Sequence, residues 1–213
     1  MSELFLTGFV KICGITTPAD AVMVAEAGAS AVGLILAQSP RQISASRARH
    51  VADAVRGTIM TTVVVRAMDD DVIVRAVAEV MPDVVQVHGP LSRALREALS
   101  SRGLLIVKAL SVGSEEFATF SDDAVDAVLI DGPSPGSGAV HSWRDLATRQ
   151  FRVPIIAAGG LTPTNVHDTI VFTHAHGVDT SSGVESAPGV KDPTLVRSFV
   201  ETARRTYAQQ GDT

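Results

Sequence analysis

"FVKICGITTPADAVMVAEAGASAVGLILA" (residues 9–37) alternates two short apolar runs with one amphipathic stretch. Thr17 and Pro18 suit the cap and first turn of a helix, and Gly28 suits its end. The pattern therefore predicts a strand, a helix and a second strand at 9–12, 17–29 and 31–37. Parallel strands joined by a right-handed helical crossover have this order.

The same alternation continues along the chain and gives eight strand-then-helix units. The predicted strands cover 9–12, 31–37, 60–67, 83–89, 104–110, 126–132, 153–160 and 177–183. The predicted helices cover 17–29, 44–57 (with Ser44 as cap), 69–81, 91–103, 113–120, 142–149, 162–172 and 192–207. Eight units predict an α/β fold, a single-domain (β/α)8 TIM barrel over residues 1–213, whose fifth helix we expect to be short or absent. A doubly wound open sheet is the rival, but no G-x-G-x-x-G motif follows the first strand.

Composition narrows the classes of partner. The 213 residues are 46% hydrophobic and only 4% aromatic, an aliphatic bias that suits parallel strands buried on both faces. A net charge of −5 without a strongly basic segment argues against nucleic acid. One cysteine and scattered histidines show no disulfide or metal-ligand spacing. With neither a signal peptide nor a membrane-length apolar run, we expect a cytoplasmic protein with no membrane partner.

Two reactive side chains fall at strand ends. In this kind of barrel the active site lies at the C-terminal ends of the strands. Cys13 ends the first strand, and Asp131 ends the sixth. A base and an acid that face each other across a substrate are what an isomerisation needs. A small buried hydrophobe and a loop cap are the simpler interpretations of the same two residues.

Two glycine-rich segments predict a phosphate site. "AAGGLTPTNV" (157–166) and "VDTSSGVE" (178–185) follow strands seven and eight, the usual phosphate position in this fold. Their unpaired backbone N–H groups suit a dianion, although ordinary tight turns have similar sequences. The candidate binding residues are Gly159, Gly160, Ser181, Ser182 and Gly183.

Further polar residues lie near other strand ends. Arg41 in "SPRQIS" could hold a carboxylate bidentately, or be a surface arginine. His88 in "QVHG" is a candidate substrate-binding residue, with a structural histidine as the alternative. For Lys108 we expect a buried structural or electrostatic role rather than a Schiff base, because the sequence shows no catalytic partner for it.

Together these segments resemble the phosphoribosylanthranilate isomerase family. The resemblance rests on "VKICGIT", "SPRQIS", "DVVQVHG", "VLIDGPSPGSGAVHSW", "IIAAGGLTPTNV" and "VDTSSGVESAPGVKDP", which lie in the family's order over residues 9–193. It implies that Cys13 is the general base, that Asp131 is the general acid and that Arg41 contacts the anthranilate end. It also implies phosphate binding by backbone around Gly160 and 181–183.

The resemblance further implies an activity. This is the Amadori rearrangement of N-(5-phosphoribosyl)anthranilate, an aldose–ketose isomerisation of tryptophan biosynthesis that needs no cofactor and no metal. The expected partner is therefore a phosphorylated small molecule, and the expected assembly is a monomer or a homodimer.

Some positions depart from the family. Arg66 and Ala67 stand where many members have a Val–Asn pair, "LILAQSPR" lacks a common aromatic, and Ser137 stands where threonine is frequent. Three alternatives stay open. A histidine-pathway type of sugar-phosphate isomerase would use two aspartates. An indole-glycerol-phosphate synthase would need a catalytic lysine with glutamates. The third alternative is a non-catalytic phosphate-binding barrel.

Overall fold

A closed barrel of parallel strands forms the centre of the molecule. The computed structural model describes residues 5, 7–122, 124–132 and 149–211. Within these ranges eight strands pair in chain order, and the eighth pairs with the first, which confirms the predicted (β/α)8 TIM barrel. The sixth helix, predicted at 142–149, falls outside the described residues except for Arg149, and Ser137 also falls outside them.

The elements follow the predicted order and lie close to the predicted bounds. The barrel strands are β1 Phe9–Cys13, β2 Ala31–Ile35, β3 Met60–Arg66, β4 Val84–His88, β5 Leu105–Ser111, β6 Ala127–Asp131, β7 Ile155–Ala158 and β8 Gly177–Thr180. The helices are α1 Pro18–Glu26, α2 Ala45–Val55, α3 Asp70–Val80, α4 Arg93–Ser100, α5 Glu115–Thr119, α6 Val166–Thr173 and α7 Pro193–Gly211. The fifth helix has five residues, so the expectation of a short helix is confirmed.

A short segment that the sequence pattern did not predict follows β8. It consists of a 3-10 turn at Ser182–Val184 and an antiparallel hairpin of β9 Glu185–Ala187 and β10 Val190–Lys191. This hairpin lies between β8 and α7, at the end of the barrel where the strands have their C-terminal ends.

Side-chain capping begins two helices where the sequence predicted it. The Thr17 hydroxyl accepts a hydrogen bond from the backbone N–H of Asp20, and Ser44 does the same for Arg47. Each bond satisfies one of the backbone donors left free in a first helical turn. The caps therefore fix where α1 and α2 leave the loops at the strands' C-terminal ends.

Alternating side chains divide the core into two layers. Val10 and Ile12 on β1 belong to the cluster between the strands and the helices, whereas Phe9 belongs to the cluster inside the barrel. Phe5 packs against Phe9 with ring centroids 5.1 Å apart and closes the inner cluster at the strands' N-terminal end. Because side chains alternate along a strand, Lys11 and Cys13 also face the interior, nearer the opposite end.

None of the helices in the described ranges is both long and apolar enough to cross a membrane.

Candidate active site

A cavity of about 290 Å³ opens at the C-terminal ends of the barrel strands. Its wall contains eight of the nine residues singled out from the sequence: Cys13, Arg41, His88, Asp131, Gly159, Gly160, Ser181 and Ser182. The ninth, Gly183, lies behind this wall, where a Cβ atom would come within 1.8 Å of the Leu161 carbonyl oxygen. Gly183 therefore allows the close approach of the turn after β8 to the loop after β7.

Cys13 lies at the end of β1 with only 6% of its surface exposed. The next residue, Gly14, has φ +77 and donates its N–H to the Gly33 carbonyl, so the chain turns away immediately after the sulfur. Gly33 is the β2 residue paired with Cys13, and a Cβ atom there would lie 2.6 Å from the Cys13 sulfur. The room for the thiol is thus made by a glycine on the neighbouring strand.

A buried ion pair lies below the thiol. Lys11 Nζ is 2.7 Å from Asp179 Oδ1, and both side chains are almost fully buried. Burial lowers the pKa of Lys11, but the Asp179 carboxylate outweighs this and raises it above its ordinary value, so the ammonium group stays charged. For Cys13, burial raises the pKa, and the charge of Lys11 offsets only part of this rise. The resting thiol is therefore mainly protonated.

Asp131 ends β6 on the other side of the cavity. Burial and the negative charge of Asp179 raise its pKa to about 6, against a smaller opposing effect of Arg66 and Lys11. A carboxyl group with this pKa carries a proton in a useful fraction of molecules near neutral pH. Asp131 is thus suited to donate a proton.

The loops after β7 and β8 form the rim between Asp131 and Cys13. Gly159 and Gly160 have φ +91 and +66, a conformation that strains other residues. Asn165 holds this loop, because its amide donates to the Gly160 carbonyl at 3.0 Å and accepts from Thr162 N–H at 2.7 Å. Within the described residues, no protein acceptor takes the N–H of Gly160 or of Ser182. These donors are free for an anion.

Arg41 is engaged in a three-residue ionic cluster. Its Nε and Nη2 atoms donate to the two carboxylate oxygens of Glu185 at 2.7 and 2.6 Å. Lys191, buried, lies 2.8 Å from the same carboxylate and also donates to the Ser181 carbonyl at 3.0 Å. The β9–β10 hairpin therefore orients Arg41 and supports the Ser181 turn.

A second polar group occupies the wall formed by β3 and β4. Arg66 Nη2 lies 3.2 Å from His88 Nδ1, and His88 Nε2 lies 2.9 Å from the Gln86 amide nitrogen. Burial and the positive charge of Arg66 lower the pKa of His88 to about 4. His88 is therefore neutral at physiological pH.

Lys108 lies outside the cavity. Its ammonium group is 2.8 Å from Glu116 on α5 and 2.9 Å from the Ala109 carbonyl, between the strands and the helices. The expected structural role agrees with these contacts, and Glu116 is the partner that the sequence did not reveal.

Sequence reasoning assigned no role to several residues of this region: Lys11, Gly33, Gln86, Asp179, Glu185 and Lys191. Lys11 could have been found, because a residue two positions before Cys13 on a strand faces the same side. Glu185 and Lys191 lie in the quoted segment 178–193, but their contact could not be predicted, because it forms only through the hairpin. Among the described residues, no three histidine, cysteine or carboxylate side chains cluster in a way that could hold a metal ion.

The fold and the site together define a class of protein. A (β/α)8 barrel with a thiol, an acid of raised pKa and free backbone donors around one cavity is built for proton transfer on a phosphorylated small molecule.

The comparisons with known proteins narrow this class to one family. The family model "N-(5'phosphoribosyl)anthranilate (PRA) isomerase" matches residues 10–202. The N-(5'-phosphoribosyl)anthranilate isomerase of Paracoccus denitrificans is 39% identical over 91% of this chain and 96% of its own length. That of Haloferax volcanii is 38% identical over 92% of each. The chain therefore belongs to the N-(5'-phosphoribosyl)anthranilate isomerase family, the isomerases of tryptophan biosynthesis.

Solved structures agree with this assignment. TrpF from Jonesia denitrificans has a TM-score of 0.81 at 33% identity, covering 93% of this chain and 97% of that one. The phosphoribosyl anthranilate isomerase from Thermotoga maritima has a TM-score of 0.80 at 31% identity, covering 92% and 98%. A third isomerase structure, in complex with reduced 1-(o-carboxyphenylamino)-1-deoxyribulose 5-phosphate, has a TM-score of 0.77 at 30% identity, again covering 92% and 98%.

Proposed function

We propose that the chain rearranges N-(5-phosphoribosyl)anthranilate to 1-(o-carboxyphenylamino)-1-deoxyribulose 5-phosphate, with Cys13 as the base and Asp131 as the acid. One observation carries the assignment of roles. Cys13 on β1 and Asp131 on β6 line the same cavity, and the glycine-rich loops after β7 and β8 lie between them around the rim. A sugar phosphate held by those loops would lie between the two groups.

Asp131 acts first in this mechanism. Its proton passes to the furanose ring oxygen, the bond from that oxygen to C1′ breaks, and the anthranilate nitrogen lone pair forms the iminium ion. A pKa of about 6 makes the carboxyl group a proton donor near neutral pH, where an ordinary aspartate would be almost fully ionised.

Cys13 acts second. As a thiolate it removes the proton from C2′, and the electron pair of that bond moves to neutralise the iminium nitrogen. The resulting enolamine tautomerises to the ketose. Lys11 stabilises the thiolate by its charge, while burial opposes ionisation, so the thiolate is a minor form that the substrate complex draws on.

Binding roles follow from position in the cavity. The phosphate would accept hydrogen bonds from backbone and side chains at Gly159, Gly160, Ser181 and Ser182, with Gly183 shaping the turn. Arg41 would contact the anthranilate end through Nη1, the one end of its guanidinium group not bound to Glu185. His88 lines the same cavity.

A fluorescence assay tests this proposal. The substrate is made in situ from anthranilate, and its disappearance is followed with wild type, Cys13→Ala and Asp131→Asn. We expect turnover by wild type and a loss of at least about 100-fold in kcat for each variant. Asp71→Asn, on the exposed face of α3, is the matched control and should keep the wild-type rate.

The outcomes separate function from mechanism. A wild type without turnover would refute the activity. A Cys13→Ala variant that keeps most of its rate would refute only the general-base assignment.

Assembly and compartment are part of the proposal. A relative from Thermotoga maritima is described as dimeric, and a monomer or homodimer is what we propose for this chain, in the cytoplasm. Sedimentation equilibrium across a range of concentrations gives the mass, and a mass above that of two chains would refute this assembly.

A further inference from the structure

Arg66 lies in the cavity wall directly across the barrel from the glycine-rich loops. It ends β3, and β3 and β4 stand opposite β7 and β8 in the closed order of eight strands. Val64, two residues earlier on the same face of β3, also lines the cavity. A ligand whose phosphate is bound at the loops therefore extends its other end towards Arg66.

The other cations around the cavity are neutralised by carboxylates. Lys11 pairs with Asp179, and Arg41 is bound on two atoms by Glu185. Arg66 makes no ion pair with any residue in the described part of the chain. Its positive charge is thus available to an anionic group of a ligand.

Hydrogen bonding fixes how Arg66 is held. A guanidinium group only donates, so His88 Nδ1 must accept from Arg66, and the hydrogen of the neutral ring lies on Nε2. Two N–H groups cannot bond each other, so the stable arrangement has the Gln86 oxygen, not its nitrogen, facing His88 Nε2. That orientation also gives a partner to the buried Gln86 Oε1 atom, which otherwise has none in the described structure. His88 then accepts from Arg66 at Nδ1 and donates to Gln86 from Nε2, which leaves the other donors of Arg66 to the cavity.

We propose that Arg66 binds the carboxylate of the substrate's aromatic end and that His88 is a positioning residue that aims it. This inference rests on the proposed function, since it assumes the phosphate lies at the loops and the reacting carbons between Cys13 and Asp131. A planar guanidinium group matches a carboxylate and binds it on two atoms. Arg41 already binds Glu185 through Nε and Nη2, so only Nη1 and the second N–H of Nη2 remain for a ligand.

The test compares two ligands that differ by one carboxyl group. Calorimetry measures the affinity of reduced 1-(o-carboxyphenylamino)-1-deoxyribulose 5-phosphate and of the same compound made from aniline. We expect Arg66→Leu to weaken the first at least about 10-fold and the second less than about twofold, because only the first has the group that Arg66 binds. Arg66→Lys, which keeps the charge but not the fork, should lose an intermediate amount. Arg93→Leu, 84% exposed on α4, is the matched control and should change neither affinity.

Three results would overturn the proposal. Arg66→Leu could weaken both ligands equally, it could leave both unchanged, or the carboxyl-dependent part of the affinity could survive Arg66→Leu and vanish in Arg41→Leu. Wild-type turnover of the substrate, measured in parallel, distinguishes a failure of the proposed function from a failure of the role proposed for Arg66. Its absence refutes the proposed function, whereas equal loss for both ligands in an active enzyme refutes only the role of Arg66.

Discussion

The folded protein raises the pKa of Asp131, which suits this group to donate a proton, and the same environment makes its ionised form a source of instability. The pKa is about 6 in the folded state, against about 3.9 in an unfolded chain. The folded state therefore holds this proton more tightly. The stability that the protonated group contributes is complete below pH 4 and is lost as the pH rises through 6.

Replacing the carboxyl group by an amide should remove this instability. We expect Asp131→Asn to raise the free energy of unfolding at pH 8 by about 1–3 kcal/mol, and the difference to fall towards zero at pH 4. Urea denaturation at both pH values measures it. The control Asp71→Asn should change stability by no more than about 0.5 kcal/mol at either pH. A destabilised Asp131→Asn at pH 8 would show that the ionised form is better accommodated than the burial suggests.

The pH dependence of the rate follows from the same two groups. In the proposed mechanism the active form has a protonated Asp131 and an ionised Cys13, although the acid has the lower pKa. Between pH 6 and the pKa of the thiol, the fraction of protonated Asp131 falls tenfold per pH unit and the fraction of ionised Cys13 rises tenfold, so their product stays constant. We therefore expect kcat/KM to be level between about pH 6 and the pKa of the thiol, and to fall tenfold per unit below pH 6.

A control distinguishes the titration of Asp131 from that of the substrate phosphate, whose pKa is also near 6. Arg66 lowers the pKa of Asp131, so in Arg66→Leu the bend in the profile should move to higher pH, whereas a phosphate titration would stay in place. A profile that falls steadily between pH 6 and 8 would mean that the thiolate is already formed in the free enzyme.

Single residues were predictable from the sequence when a strand end identified them. Cys13 and Asp131 followed from the rule that barrel chemistry lies at the C-terminal strand ends, and both line the cavity. Lys11 and Asp179 were not recognised as a pair, because they are 168 positions apart and only barrel closure brings them together.

At the scale of elements, the β1–β2 pair controls the reactive thiol. Gly33 on β2 has an ordinary φ, so an alanine there is acceptable to the backbone, but its Cβ would lie 2.6 Å from the Cys13 sulfur and 3.0 Å from the Cys13 Cα. The sulfur would have to move away from the substrate.

Gly33→Ala should therefore damage catalysis more than folding. We expect kcat to fall at least about tenfold, and the free energy of unfolding to fall by about 1–3 kcal/mol from overpacking. Steady-state kinetics, urea denaturation and the alkylation rate of Cys13 measure the three effects. A variant with the wild-type kcat would show that the position of the sulfur does not depend on this contact.

Element bounds were predictable where capping residues mark them, and less so where the backbone turns without them. Thr17 and Ser44 begin their helices as expected. Ala67, directly after β3, has φ +49, a conformation that asparagine tolerates better than alanine. The sequence pattern gave no sign of this positive φ.

At the scale of the whole molecule, the alternation of apolar runs and amphipathic stretches was enough to predict the barrel, because eight parallel strands in chain order need seven crossovers. The β9–β10 hairpin was not predictable, since its short strands have little pattern and are held by the Glu185 contacts to Arg41 and Lys191. The parts of the site that depend on such long-range contacts require the structure.

Barrel closure also places the buried ion pair at the seam. Lys11 on β1 and Asp179 on β8 are register partners where the last strand meets the first, and they bond at 2.7 Å away from water. Removing one partner leaves an unpaired charge in the closed barrel, whereas removing both leaves an apolar contact of similar volume.

We therefore expect Lys11→Met to destabilise the fold by about 3–5 kcal/mol, and Lys11→Met/Asp179→Leu to recover most of that loss. Urea denaturation of the two variants and of Asp179→Leu completes the cycle. The loss in Lys11→Met should grow as the pH rises, because the unpaired carboxyl group can stay protonated only at low pH. If the double variant is as unstable as the sum of the single ones, the coupling energy is zero, and the two buried charges do not compensate each other.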